Sequence, residues 1–214
     1  MKIGILGTGD VGRALGRGFI ALGHEVKMGA RSAGHEKALE WVAEMGSRAS
    51  EGTFADAARF GEMLAMATLG VANPEVVKLA GADAFAGKIL IDATNPLDFS
   101  KGFPPGLAIA GNDSGGELLQ RLVPKAKVVK AFNTAGNRHF YRPKFTGGPP
   151  DMFIAGNDAD AKKTVAGLLA DFGWGTVDIG DIAGARYLEA MCIAWVRACG
   201  ASGNWDRAFK FLHS

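Results

Sequence analysis

Lys2-Ile3-Gly4-Ile5-Leu6-Gly7-Thr8-Gly9-Asp10-Val11-Gly12 is the stretch that decides the fold. Its first half is apolar enough to be a β-strand buried on both faces. Its second half, Gly7 to Gly12, fits the pattern G-x-G-x-x-G. That pattern is weak alone and gains weight between a strand and a helix. Here Asp10 to Leu22 follows with helical length and stops at Gly23. Gly7 permits a tight turn, Gly9 lets the backbone approach a pyrophosphate, and Gly12 allows close helix–strand packing. The helix N-terminus adds unpaired N–H groups and a positive dipole end. Gly7, Thr8, Gly9, Asp10, Val11 and Gly12 are therefore candidate binding residues, weighed against a glycine-rich turn without a ligand.

Outward from this stretch, strands and helices alternate. Strands are predicted over His24–Gly29, weakly over Ser47–Ala49, and over Glu62–Leu69, Lys88–Asp92, Lys127–Phe132, Asp151–Ala155 and Thr176–Ile179. Helices are predicted over His35–Met45, Thr53–Arg59 with an N-cap threonine, and Pro74–Ala80. A further helix opens on the capping box Ser114-Gly-Gly-Glu117, and another runs from Asp158 to Asp171, stopped by Gly173. Residues 98–113 read as loop, and Ile182–Cys199 and Trp205–Leu212 as a helical tail. Such alternation implies right-handed crossovers. The expected fold is α/β: a Rossmann-type doubly wound, mostly parallel sheet with extra C-terminal strands and an α-helical tail.

Composition narrows the class. The 214 residues include 31 glycines, about twice the usual ~7%, but only 8 prolines, which excludes a collagen or a Pro/Gly linker. With 48% hydrophobic and 21% charged residues the chain is globular. A net charge of +2 is too balanced for a binder that works by neutralising phosphates along a nucleic acid. The longest apolar stretch, Met63 to Ala72, is about half of the ~20 residues a membrane span needs. The N-terminus has no apolar signal-peptide region. Cys192 and Cys199 lie seven apart in a predicted helix, about 10 Å at ~1.5 Å per residue, too far for a disulfide. These features lead to the expectation of a cytoplasmic protein with free thiols.

The end of the second strand discriminates between dinucleotides. An NAD site carries Asp or Glu there, on the ribose 2′-OH. This chain has Gly29-Ala30-Arg31-Ser32 instead. A carboxylate would repel a 2′-phosphate, whereas a guanidinium and a hydroxyl would hold one. Ala30, Arg31 and Ser32 thus predict NADP(H) over NAD(H), with His35 and Lys37 as secondary candidates. The expected organisation is a single NADP-binding domain over 1–214, with a core over 1–140 and a C-terminal extension over 141–214.

Ligands of open α/β sheets sit beyond the carboxyl ends of the strands. That rule adds Thr68 and Leu69, then Asn95 and Pro96, then Asn133 and Thr134. For the last four, plain turn chemistry weighs as much as ligand contact. No nucleophile elbow, catalytic triad or metal-ligand cluster appears around His24, His35, His139 or His213. Hydride transfer between two bound rings needs orientation more than proton traffic, so no catalytic residue is named.

Residues 1–32, KILIDATNPL at 88–97, KVVKAFNTAG at 127–136 and DMFIAGNDADAKKTVAGLLADFGW at 151–174 resemble the NADP oxidoreductases dependent on coenzyme F-420. The resemblance extends to the cytoplasmic reductase domain of STEAP-type ferric reductases. It implies hydride transfer between NADP(H) and a deazaflavin or flavin stacked on the nicotinamide. It also implies that Thr8 binds phosphate, that Arg31 and Ser32 grip the 2′-phosphate, and that 94–96 and 133–136 line the nicotinamide end. The family tends to dimerise, and the aromatic tail is a reasonable contact surface. The final segment, from Ile193 onward, matches no deazaflavin site. Two alternatives stay open: reduction of a small imine or carbonyl oriented by Asn133 or His139, and a non-catalytic NADP(H)-binding redox sensor. Every reading expects a small-molecule partner and neither nucleic acid nor membrane.

Overall fold

The structure, a computed structural model, describes residues 1–212. His213 lies outside the described residues. In chain order the elements are β1 (Lys2–Leu6), α1 (Asp10–Ala21), β2 (Glu25–Ala30), α2 (Glu36–Met45), β3 (Ala49–Thr53), α3 (Phe54–Phe60), β4 (Met63–Met66) and α4 (Asn73–Ala80). There follow β5 (Ile89–Asp92), β6 (Leu97–Asp98), β7 (Gly106–Leu107), α5 (Gly115–Leu122), β8 (Lys127–Lys130), β9 (Asp151–Gly156), α6 (Ala159–Phe172), β10 (Gly175–Asp178) and α7 (Ala185–Ser202).

Eight strands form one sheet in the order β3-β2-β1-β4-β5-β8-β9-β10. The first six are mutually parallel, and β9 reverses against β8. The reversal has a local cause. Parallel neighbours need a crossover element, usually a helix, and the link 131–150 holds only the 3-10 turn Asn137–His139. Helix α6 then restores a parallel step from β9 to β10.

Side chains alternate across the strands and separate two cores. On one face Ile3, Ile5, Ala65, Ile91 and Val129 pack with Leu15, Phe19, Trp41, Val165, Leu169 and Phe172 of α1, α2 and α6. On the other, Leu6, Leu64, Met66, Leu90 and Val128 pack with Phe54, Ala58, Val76, Val77 and Leu119 of α3, α4 and α5. Both faces of the strands are covered, which explains their nearly continuous apolar sequences.

Several expectations are corrected. The weak strand at 47–49 is a 3-10 turn over Gly46–Arg48, and the strand follows it as β3. The segment 98–113 is not all loop, because β6 and β7 form a small antiparallel pair bracketing it. The strand from Lys127 ends at Lys130, and Phe132 turns the chain with a left-handed φ of 63°. The predicted helix Trp205–Leu212 does not form. Helix α7 stops at Gly203, whose φ is 66°, and the chain beyond it is an irregular strap. Trp205 packs on Trp195 and Phe103, while Asp151 N donates to Phe209 O and Phe211 N to Asp151 Oδ2. The tail's backbone groups are satisfied by β9 and its aromatics by neighbours, so helix formation has no advantage there. Cys192 and Cys199 are buried free thiols, and burial pushes Cys192 up to about 11.

Helix α3 carries a complete capping box: Asp56 N donates to Thr53 Oγ1, and Thr53 N donates to Asp56 Oδ2. The Thr53 hydroxyl and amide, then Arg59, hold the Asp56 carboxyl down to about 2, against an ordinary 3.8. A lowered carboxyl stabilises the fold above its unfolded pKa and loses that contribution as pH falls through the folded one. Asp56→Asn is therefore expected to melt below wild type at neutral pH, with the gap closing between about pH 4 and pH 2. Thermal melts across that range check it. A gap that does not change with pH would remove the charged capping box as the cause.

Candidate functional site: a cleft along the carboxyl edge of the sheet

The first parallel trio of strands builds the site. Leu6 of β1 lies opposite Gly29 of β2 and Met66 of β4, so the turns that follow these strands emerge side by side. Gly7 N donates to Gly29 O at 3.1 Å, and Ala67 N donates to Leu6 O at 2.8 Å. Between the turns is a cleft of about 560 Å³.

Gly7, Thr8, Gly9, Asp10 and Val11 form its base. Gly9 is the N-cap of α1, with extended backbone and no side chain capping the helix. The first amides of α1 are left to whatever occupies the cleft, which suits an anion. Gly12 does not line the cleft; a Cβ there would stand 2.3 Å from Gly7 O, so it packs the helix onto the loop.

Ala30, Arg31 and His35 make one wall. Arg31 is exposed, and its loop is tied down where Gly34 N donates to Glu51 Oε2 at 3.0 Å. His35 caps α2 positionally, and its buried Nδ1 has no hydrogen-bond partner among the described residues. The exposed Arg31 guanidinium in this wall suits a phosphate ligand. Ser32 and Lys37 are exposed and stand outside the lining. Thr68 and Leu69 form the opposite wall, with Ala67, Ala72, Val76 and Phe54 behind them. Asn137 closes one end. Asn137 and Phe54 had no sequence signal; one follows an irregular turn, and the other reads as an ordinary apolar helix start.

The remaining candidates are placed elsewhere. Asn95 Nδ2 donates to Asn133 O, and Asn133 Nδ2 donates to Asn95 Oδ1 and Leu188 O. Asn133 is buried, Thr134 is buried against Met152, and Pro96 is buried beneath Gly115. The turn 95–96 lies behind Gly70, whose amide donates to Asn95 O. Asn95, Pro96, Asn133 and Thr134 therefore tie the turns after β4, β5 and β8 together and do not line the cleft. His139 pairs with Asp206 at 2.7 Å and stacks near Phe145, away from the lining.

Sequence reasoning missed a buried ionic cluster behind the cleft. Lys130 Nζ lies 2.7 Å from Asp92 Oδ2 and 2.8 Å from Glu189 Oε1, with all three side chains 0–1% exposed. Lys130 also donates to Thr94 O, and Glu189 receives the amides of Gly115 and Gly116 at the start of α5. Burial penalises the Lys130 ammonium, but the Asp92 and Glu189 charges outweigh it and its pKa is raised. The available signal was a charge ending each of two apolar strands, KILID and KVVK, which pair with Asp92 opposite Lys130.

A parallel sheet with a G-x-G-x-x-G loop opening its first helix, and an arginine in place of the acid after its second strand, defines a Rossmann-type dinucleotide-binding protein. The family model "NADP oxidoreductase coenzyme F-420-dependent" matches residues 2–96. The structure of an Arthrobacter sp. FB24 protein, provisionally described as an F-420-dependent NADP-reductase, is 41% identical over the full length of both chains, with a TM-score of 0.94. The chain belongs to this family and is an NADP-dependent oxidoreductase. A hypothetical protein from Sinorhizobium meliloti is 28% identical over 86% of each chain, with a TM-score of 0.71. Metalloreductase STEAP3 of Rattus norvegicus is 29% identical over 205 residues, which cover 89% of this chain but only 36% of that protein. An Aspergillus terreus reductive aminase, 21% identical with a TM-score of 0.67 over 94% of this chain and 62% of its own, shares the fold. Among the described residues no helix is long and apolar enough to cross a membrane.

Proposed function

We propose that the chain moves a hydride between NADPH and a flat acceptor of the deazaflavin or flavin type, coenzyme F-420 being the leading case. The observation that carries the NADP(H) half is the exposed Arg31 in the cleft wall, where an acid would favour NAD. The uncapped α1 amides would hold the pyrophosphate, and Arg31 with His35 the 2′-phosphate. Bound NADPH supplies the hydride from its nicotinamide ring. The acceptor half rests on the likeness to the coenzyme F-420-dependent oxidoreductases, and Leu69, 64% exposed in the opposite wall, offers apolar surface to the nicotinamide ring.

Arg31→Ala is expected to weaken NADPH binding on the order of 10- to 100-fold, the worth of a charge-assisted contact, while NADH binding changes little. Titration of both dinucleotides checks it, and unchanged NADPH affinity would sink the assignment. Single-turnover loss of the NADPH absorbance band, with deazaflavin, flavin and ferric acceptors compared, identifies the acceptor. No oxidation with any of them would favour a sensor.

A further inference from the structure

Thr68, half-buried in the cleft wall, is the outer member of a hydrogen-bonded file that runs into the core. Its Oγ1 is 3.1 Å from Asn73 Oδ1, Asn73 Nδ2 is 2.9 Å from Thr94 Oγ1, and Thr94 Oγ1 is 2.7 Å from Asp92 Oδ1. Asp92 is in turn paired with the buried Lys130. The inner end dictates the direction of every bond. A carboxylate only accepts, so the Thr94 hydroxyl must donate to it. Thr94 then offers Asn73 lone pairs alone, and Asn73 must turn its amide N–H₂ toward Thr94. That leaves the Asn73 carbonyl oxygen facing Thr68, whose single proton is drawn inward. Asn73 and Thr94 are 1% and 2% exposed, so no solvent competes for these bonds.

We propose that Thr68 is a locked acceptor that receives the carboxamide N–H₂ of the nicotinamide and so selects which way the carboxamide faces. This rests on the NADP(H) reading of the cleft. The hydroxyl of Thr68 presents only lone pairs outward, next to the exposed Leu69 of the same wall, on which the ring would lie. A carboxamide has a donor end and an acceptor end, and an acceptor-only partner distinguishes them. Thr68 would touch the cofactor; Asn73, Thr94 and Asp92 are positioning residues.

The test titrates the wild-type chain, Thr68→Val, Thr68→Ser and Asn73→Leu with NADP⁺ and with 3-acetylpyridine adenine dinucleotide phosphate. In the analogue a methyl ketone replaces the carboxamide and the donor is lost. Wild type is expected to prefer NADP⁺ by about fivefold to tenfold, the worth of one neutral hydrogen bond. Thr68→Val abolishes the preference by weakening NADP⁺ alone, and Thr68→Ser keeps it. Asn73→Leu retains the hydroxyl but frees its proton, and the preference narrows. If Thr68→Val weakens both ligands alike, the contact is to a ribose hydroxyl and the carboxamide assignment is overturned. NADP⁺ affinity unchanged in Thr68→Val overturns the Thr68 role alone. A wild-type chain that binds neither dinucleotide overturns the cofactor reading, and the inference with it.

Discussion

Lys130→Met is expected to destabilise the protein by about 3–5 kcal/mol, the cost of removing one partner from a buried ion pair. Methionine matches the length of the lysine stem, so little cavity forms, and the loss is electrostatic. Two carboxylates, Asp92 and Glu189, remain buried without a cation. Asp92 keeps the amide and hydroxyl of Thr94, and Glu189 keeps the amides of Gly115 and Gly116. Those bonds soften the loss but cannot supply a positive charge. Urea unfolding at neutral pH measures it through the transition midpoint. A loss below about 1 kcal/mol would show that the cluster carries no strong coupling. Adding Asp92→Asn and Glu189→Gln to the variant is expected to recover part of the loss, since neutral amides tolerate burial better than unpaired charges. The pH dependence has a definite sign. Lys130 is raised above its ordinary 10.5, with burial opposing and the Asp92 and Glu189 charges prevailing. Its contribution is therefore fully present at neutral pH and is lost only as alkaline pH rises through the folded value.

Gly7→Ala is expected to lose both stability and dinucleotide binding. Gly7 has a φ of 132°, a conformation that residues with a Cβ rarely adopt. The added methyl would stand 2.4 Å from Ala67 O and 2.7 Å from Ala67 C, backbone atoms of the opposite wall. Strain and overpacking together cost roughly 3 kcal/mol or more. Relief would have to come from moving the turn after β4, which carries Thr68 and Leu69. Cofactor affinity should therefore fall even at temperatures where the variant remains folded. Thermal melts paired with NADPH titration separate the two effects. A variant that binds NADPH as wild type would mean the turns tolerate a Cβ and the close approach is not needed. Gly9→Ala is the internal contrast, since a Cβ at Gly9 meets no atom within 4 Å in the described structure. Its stability should be nearly unchanged, and any loss of affinity there reports on a ligand.

Much of this protein was legible without coordinates because the relevant signals are local. The alternation of short apolar runs with helical stretches marks a doubly wound sheet, and β1, β2, β4, β5 and β8 of its parallel core follow from it, whereas β3, which is less apolar, begins only where the segment expected for it ends. The Gly7–Gly12 loop joins β1 to α1 within a few residues, and Arg31 sits directly after β2, so adjacency in sequence guarantees adjacency in space. Gly7 to Val11, Ala30 and Arg31 line the cleft, whereas Gly12 and Ser32 stand outside it.

Distant relationships were legible only in part. Asn95, Pro96, Asn133 and Thr134 occupy turns at the carboxyl edge, but pairing between the turns turns their polar groups inward, and a turn's position does not disclose where its side chains find partners. The strap after Gly203 had helical composition, yet contacts with Asp151, Trp195 and Phe103 outweighed that weak local preference. The sequence alone determined the alternation of strands and helices, the glycine-rich loop after β1 and the arginine that stands where an acid would favour NAD. The tertiary structure alone decided that Asp92, Lys130 and Glu189 meet in the core, and that Thr68 is tied to them through Asn73 and Thr94. The physical reason is that helix and turn signals act over a few residues, whereas a buried charge is tolerable only where sheet register and helix docking bring its counter-charge within about 3 Å.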